Sequence, residues 1–349
     1  MRVLGIETSC DETSAAVVEG TGERARLESL VILSQDVHRI FGGVVPEIAS
    51  REHLTAVVPV VRQALSDARA GLEDVDAIAV TNAPGLVGAL LVGVSFAKSL
   101  AYALGKPVLG VHHMEGHLFA ASLEIDDAVP PFTALLVSGG HTMIVDVPAW
   151  GSYRVLGKTR DDAAGEAFDK VGKLLGLPYP GGPHVERIAA SAAKPKLRYT
   201  APMLRRDQEP GSPEYYDVSF SGLKTAVLNS VQERVAQRPL DDADRAELAR
   251  AFQDALIATL VGKTERAVAA FQRKRVVIAG GVAANQALTN ALRERLGTTV
   301  SVIAPSTRLS TDNAAMIARA GLYRLERGER SSLDLSAFAT QPLPGILTA

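Results

Sequence analysis

Two histidines four residues apart, in His113-Met114-Glu115-Gly116-His117, are the sharpest chemical signal in the sequence. They follow a short β-forming run at 107–111, so the pattern predicts the first turn of a helix. Helix positions i and i+4 share one face, where two imidazoles can reach a single metal ion. A zinc protease is excluded, because the order is neither His-Glu-x-x-His nor His-x-x-Glu-His. At about 100° per residue, Glu115 lies roughly 200° round the helix from His113 and turns away from a metal there. A third ligand is needed, and Asp312 is the best candidate, in the polar turn Leu309-Ser310-Thr311-Asp312-Asn313 that opens a helix. The competing readings are one buried and one exposed histidine, and a helix N-cap for Asp312. Two histidines and a carboxylate with open positions suit iron, zinc or manganese.

Three glycine-bearing turns are built to meet phosphates or a nucleotide: Ser138-Gly139-Gly140, Pro180-Gly181-Gly182-Pro183 and Gly280-Gly281-Val282-Ala283-Ala284-Asn285. Without a Cβ, backbone N–H groups can approach a ligand closely, and a following helix adds its dipole. Each is weak alone, since most Gly-Gly turns are only turns. A Walker sequence and a G-x-G-x-x-G are both missing, which argues against P-loop and Rossmann sites. The adjacent carboxylates Asp11 and Glu12 sit in a turn that needs neither, and Asp169 stands in an apolar-and-lysine helix pattern, where it can hold a ribose or pair with Lys173.

The elements that position these residues alternate strand and helix. Val3–Ile6 and Ser14–Val18 read as strands about a polar turn, and the pattern returns as Ala134–Val137, Ser138–His141 and Thr142–Val145. Two such units, each opening one half of the chain, suggest an internal duplication. Between them come a helix at 47–68, a strand at 75–80, a small-residue helix at 86–104 and a strand at 107–111. The second half adds a proline-rich insertion at 194–218, a long helix at 243–272, a strand at 276–279 and a helix from about Asn285. The class is α/β.

With 349 residues the chain is long enough for about two domains. Hydrophobic residues make up 47% and charged residues 22%, which excludes wholesale disorder. Lys and Arg total 37 against 39 Asp and Glu, a net −2, so nucleic acid cannot be gripped by global charge. Local basic clusters stand at Lys194/Lys196/Arg198, Arg205-Arg206 and Arg273-Lys274-Arg275. The single Cys10 rules out an internal disulfide and suits a reducing compartment. The N-terminus meets Glu7 too soon for a signal peptide, and the longest uncharged stretch, 128–145, is broken by prolines and glycines. A cytoplasmic protein without a membrane span is expected.

Together these motifs resemble one family. Gly5-Ile6-Glu7-Thr8-Ser9-Cys10-Asp11-Glu12-Thr13, His112 with the 113–117 segment, Leu136–Thr142, Gly165–Lys170, Tyr179–Pro183, Ser219-Phe220-Ser221-Gly222-Leu223-Lys224-Thr225, Gly280–Asn285 and Ser310–Ala315 are similar to the TsaD (formerly Gcp) family. That family makes N6-threonylcarbamoyladenosine in tRNA. The resemblance runs from residue 3 to about 325 in the family's order. It implies an actin-like, sugar-kinase-like (ASKHA) fold of two related lobes with a nucleotide cleft between them. Residues 1–127 would form the N-terminal lobe, 128–310 the C-terminal lobe, and 311–349 a helix and tail packing back on the first.

Carried over position by position, the resemblance implies one divalent metal per chain, Fe(2+) or Zn(2+), on His113, His117 and Asp312. It implies an adenylate site of Leu136, Val137, Ser138, Gly139, Gly140, Asp169, Gly182 and Asn285, with Glu186 where some members have Asp. The reaction would transfer threonylcarbamoyl from threonylcarbamoyl-adenylate to N6 of the adenosine at tRNA position 37, with Asp11 or Glu12 accepting the proton or placing the amine. The partners implied are tRNA, a paralogous inactive (TsaB-like) subunit and a small (TsaE-like) ATPase. The paralogue would meet the apolar face of the 47–68 helix with Phe41, Val44 and Val45, a segment that can equally pack on its own sheet. The insertion at 203–216 departs from the family by its length. The rival functions are an actin-fold small-molecule kinase and a non-catalytic nucleotide-binding scaffold. The first hairpin's Glu7-Thr8-Ser9, in place of the Asp-x-Gly usual in such kinases, argues against the kinase.

Overall fold

A computed structural model describes residues 1–192, 196–205 and 207–347. Lys194 and Arg206 of the basic clusters lie outside them. The chain divides into two compact units, Met1–Ala128 with Pro305–Gly345, and Val129–Ala304 with the chain end from Ile346. The second crossing therefore falls at 304/305, earlier than the 310/311 boundary expected, because the single turn before Asp312 belongs with the first sheet's helices.

In chain order the first unit holds β1 (Arg2–Glu7), β2 (Glu12–Gly20), β3 (Ala25–Ser34), α1 (Pro46–Asp67), β4 (Ala77–Ala83), α2 (Val87–Leu104), β5 (Val108–His112) and α3 (His113–Ala120). The second holds β6 (Phe132–Val137), β7 (Thr142–Ala149), β8 (Ser152–Lys158), α4 (Ala164–Leu174), α5 (Gly181–Ser191), α6 (Ser221–Val235), α7 (Asp242–Phe271), β9 (Arg275–Ala279), α8 (Gln286–Leu296) and β10 (Ser301–Ile303). The chain then returns to the first unit with the short α9 (Thr307–Ser310) and with α10 (Ala314–Glu326).

The two sheets repeat one topology. The first runs β3-β2-β1-β4-β5 and the second β8-β7-β6-β9-β10. In each, the first three strands are antiparallel and the last two run parallel to the first. The two polar turns occupy equivalent places, one between β1 and β2 and one between β6 and β7. Strands β3, β8 and β10 were not legible in the sequence. All three are sheet edges or near-edges whose half-exposed residues dilute the apolar run. Pro180–Pro183 is no free turn: Gly181 and Gly182 open α5, where Pro183 is tolerated because a first-turn N–H has no helical partner.

In α1, His53, Val57, Val60, Val61, Ala64 and Leu65 are buried, so the apolar face read from 47–68 packs on its own sheet. Helix α2 is long and apolar enough to cross a membrane by length and composition. Its Ala89, Leu90, Gly93, Val94, Ala97 and Ala101 are buried in the unit, and Gly93 lets it approach Thr8 so closely that a Cβ would meet Thr8 Oγ1 at 2.4 Å.

The insertion is fastened to α7. Lys263 Nζ donates to Gln208 Oε1 (3.2 Å) and to the carbonyls of Glu214 (2.5 Å) and Tyr215 (3.0 Å). Arg266 donates to Gln208 Oε1, Tyr215 O and Arg205 O, and its guanidinium lies 4.6 Å from the Tyr215 ring centre. Burial lowers Lys263 to about 8, with Arg266 adding to the effect. The folded chain then binds fewer protons than the unfolded chain between pH 8 and 10.5. The burial penalty is complete below pH 8 and is relieved as pH rises through that window. Replacing Lys263 by Met should release the insertion to limited proteolysis. The stability of the native chain relative to this variant should rise from pH 8 to 10 in chemical denaturation; a flat difference would refute the shift.

Candidate metal centre and nucleotide loops

In the first unit, β5 ends at His112, whose Nδ1 accepts the Met114 N–H and starts α3. His113 and His117 then lie on one face of that helix, both buried, with ring centres 4.7 Å apart. The expected alternative of one buried and one exposed histidine does not hold. Asp312 comes from the turn before α10. It is not the N-cap: Asn313 caps α10 by accepting the Met316 N–H, which leaves the Asp312 carboxylate free to face the histidines. Asp312 Oδ1 lies 3.4 Å from His113 Nε2 and 3.2 Å from His117 Nε2. One ligand atom from each of the three residues falls within 4.8 Å of the others, so the group can hold a metal ion. Glu115 points away as the helical wheel requires, with Oε2 3.5 Å from Arg324 Nη1.

Two observations fit a cation here. Both ring nitrogens of His117 are buried without an aligned hydrogen-bond partner among the described residues, an arrangement that folded proteins rarely leave unmet. On the far side of His113, Nδ1 lies 3.1 Å from Glu7 Oε2 and 3.2 Å from Ser9 Oγ, which leaves Nε2 for the ion. Burial opposes a proton on His113, yet the Asp312 and Glu7 charges outweigh it and hold its pKa well above the usual range. At His117 burial prevails and lowers the pKa. Burial would raise the Asp312 carboxyl, but His113 and His117 hold it far below the usual carboxylate range.

Sequence reasoning missed Glu7. Its signal was a carboxylate ending an otherwise apolar strand, and in the structure it is fully buried. Besides His113, it accepts the Thr81 hydroxyl at 2.6 Å and the Ser9 N–H at 2.5 Å. A carboxylate behind a metal-binding imidazole typically contributes 10–100-fold in metal affinity. Glu7→Gln is therefore expected to weaken metal binding by about 10–100-fold in a chelator competition titration; unchanged affinity would reduce Glu7 to a structural role.

Asp11 and Glu12 close the β1–β2 turn in the same unit. Both are half-buried. Burial, then the Asp312 and Asp11 charges, push the Glu12 carboxyl well above its usual range. Glu12 thus feels the negative charge of Asp312.

In the second unit the predicted nucleotide residues form a connected set at the carboxyl ends of β6 and β9, where open α/β sheets bind ligands. Leu136 and Val137 are fully buried strand residues, backbone included, so neither is itself open to a ligand in this structure. Ser138 closes the turn, with N–H to His141 O at 2.8 Å and Oγ accepting the His141 N–H at 3.1 Å. Gly139, Gly140 and Gly281 have open space where a Cβ would stand. Gly165, at the start of α4, instead packs tightly on Ser138 and Gly139. Asp169 accepts the Gly181 N–H at 2.7 Å, which ties α4 to the first turn of α5 and to Gly182. Glu186 accepts the N–H groups of Gln286 (2.7 Å) and Ala287 (3.4 Å), so its carboxylate is engaged by α8. Asn285 caps α8 through Leu288 N–H (2.9 Å) and donates to Gln253 Oε1 (3.2 Å). Gln253 was not foreseen; its trace is a buried glutamine inside the apolar face of α7.

Comparison with known proteins is consistent across sequence and structure. Residues 26–319 match the family model "TsaD: tRNA N6-adenosine threonylcarbamoyltransferase". A tRNA N6-adenosine threonylcarbamoyltransferase of Gemmatimonas aurantiaca is 63% identical, covering 99% of this chain and 98% of the relative. One from Anaeromyxobacter dehalogenans is 51% identical, covering 96% and 98%. Among solved structures, component A of the Acidaminococcus fermentans (R)-2-hydroxyglutaryl-CoA dehydratase matches at a TM-score of 0.56 and 15% identity, covering 94% of this chain and 99% of that one. HypF of T. kodakarensis matches at 0.60 and 14%, covering 93% and 48%. These likenesses bear on the fold alone, which is the actin-like, sugar-kinase-like arrangement of two related α/β units.

Proposed function

Since the chain belongs to the TsaD family of tRNA N6-adenosine threonylcarbamoyltransferases, we propose that its donor is threonylcarbamoyl-adenylate and its acceptor the adenosine at position 37 of tRNAs reading ANN codons. The observation that carries the nucleotide part is the opening at Gly139, Gly140 and Gly281 beside the starts of α4, α5 and α8. Backbone N–H groups and helix dipoles there suit an anionic adenylate.

The N6 amine attacks the carbamoyl carbon, the new C–N bond forms, and the bond from that carbon to the phosphate oxygen breaks to release AMP. The proton lost by the amine goes to the carboxylate of Asp11 or Glu12. An exocyclic amine is a weak nucleophile, so holding both reactants in line contributes heavily. His113, His117 and Asp312 would hold the metal, Fe(2+) or Zn(2+), which when bound supplies Lewis-acid charge for substrate oxygens. The net charge of −2 makes tRNA binding by the isolated chain weak and salt-sensitive, which leaves room for a paralogous subunit and a small ATPase in a cytoplasmic complex. The exposed Ile40 and Phe41 offer the paralogue an apolar contact. Incubating the chain and its partners with tRNA and the adenylate should yield modified adenosine and AMP in equal amounts. A phosphorylated product with ADP would refute the proposal.

A further inference from the structure

A chain of buried polar side chains lies behind the β1–β2 turn, and none of them belongs to the metal group or the acidic pair. Thr13, His38 and His53 are almost fully buried, and Gln35 nearly so. Their hydrogen bonds fix both tautomers, because a carbonyl can only accept. His53 Nε2 lies 2.9 Å from Cys10 O, so Nε2 carries the proton, and Nδ1 accepts the Thr13 hydroxyl at 2.7 Å. His38 Nε2 donates to Gln35 Oε1 at 2.8 Å, and its Nδ1 accepts the Val45 N–H at 3.3 Å. Gln35 then donates from its side chain to Ala49 O at 3.2 Å and from its backbone N–H to Asp11 O at 3.1 Å. Burial keeps the His53 imidazole neutral by lowering its pKa, which agrees with this pattern.

The carbonyls of two successive turn residues, Cys10 and Asp11, are thus each held by a donor of this network. A turn of small and acidic residues has no apolar side chain of its own to lock it. We infer that His53 is a positioning residue: it clamps the Cys10 carbonyl and so sets where the Asp11 and Glu12 carboxylates stand. The inference rests on the proposed role of those carboxylates. A fully satisfied buried network specifies one geometry and loses it when one member is removed, and a displacement of about 1 Å in reacting groups can lower a rate by about 100-fold.

The test measures transfer by the complete complex carrying His53→Ala, His53→Gln or Thr13→Val, together with metal content and melting temperature. His53→Ala should lower kcat by roughly 10–100-fold with KM for the adenylate and metal content unchanged. His53→Gln, whose amide can donate to the same carbonyl, should recover most of that loss, and Thr13→Val should fall between. Native kcat in His53→Ala overturns the inference, as does equal impairment of the Gln and Ala variants. Should His53→Ala not fold, the Gln and Thr13→Val variants decide: a kcat deficit at native metal content in Thr13→Val supports the clamp, and native kcat overturns it. Asp11→Asn with Glu12→Gln separates the two claims. Full activity there removes the role of the acidic pair whatever His53 does, whereas a loss there with an unaffected His53→Ala removes the clamp alone.

Discussion

His117→Ala will leave the chain folded, remove the bound metal and reduce threonylcarbamoyl transfer by more than roughly 100-fold, the upper range for losing a mere supporting partner of a metal ligand. The loss exceeds that of an outer partner because His117 faces Asp312 directly, with Nε2 3.2 Å from Oδ1. Removing the buried ring leaves a cavity and strips a partner from the Asp312 carboxylate, so the melting temperature of the metal-free variant should fall below that of the metal-free native chain. His113→Ala is expected to be equally inactive but less stable, because it also strips a partner from the buried Glu7 carboxylate. Metal analysis, transfer assays and thermal unfolding of the two variants check this pairing. Retained transfer by either variant in the presence of a chelator would overturn the assignment of the site.

What the sequence made legible follows from where a side chain's job is local. The i, i+4 spacing of His113 and His117 needs one helix turn, and the spacing alone places them on one face. The doubled strand–turn–strand pattern is equally local, and the repeated sheet order bears it out. Asp312 is some two hundred residues further on, and nothing in its own turn distinguishes a ligand from a cap; Asn313 takes the capping role and settles it only in three dimensions. Glu7 was hidden for another reason. It reads as the first polar residue of a turn, whereas its function comes from Thr81 on β4 and His113 on α3, both brought to β1 by parallel pairing and helix packing. Glu186 and Asp169 were read as substrate residues, and each is found bonded to a helix start, a contact that joins two helices and that neither residue's own segment announces.

Gly5→Ala is expected to destabilise the chain by about 1–3 kcal/mol, the range for overpacking a close-packed core, and to remove metal as well. Strand β1 carries Gly5 against α10. A Cβ at this position would stand 2.3 Å from the Ala314 carbonyl oxygen and 2.8 Å from the Ala318 side chain. Both are contacts that no side chain can rotate out of, since one is backbone and the other a methyl. The helix must therefore move away from the strand, and the residues at its entrance move with it. Asp312 lies two residues before α10, and Glu7 two residues after Gly5 on the same strand. Separating strand and helix thus draws Asp312 away from the histidines while Glu7 stays behind His113. A methyl group some distance along the strand from any ligand should in this way lower metal affinity together with stability. Titration of metal into the refolded variant checks the coupling at a temperature where the variant is fully folded. Native affinity in that folded variant would show that α10 carries Asp312 on a turn flexible enough to absorb the shift, and that the close approach at Gly5 serves packing alone.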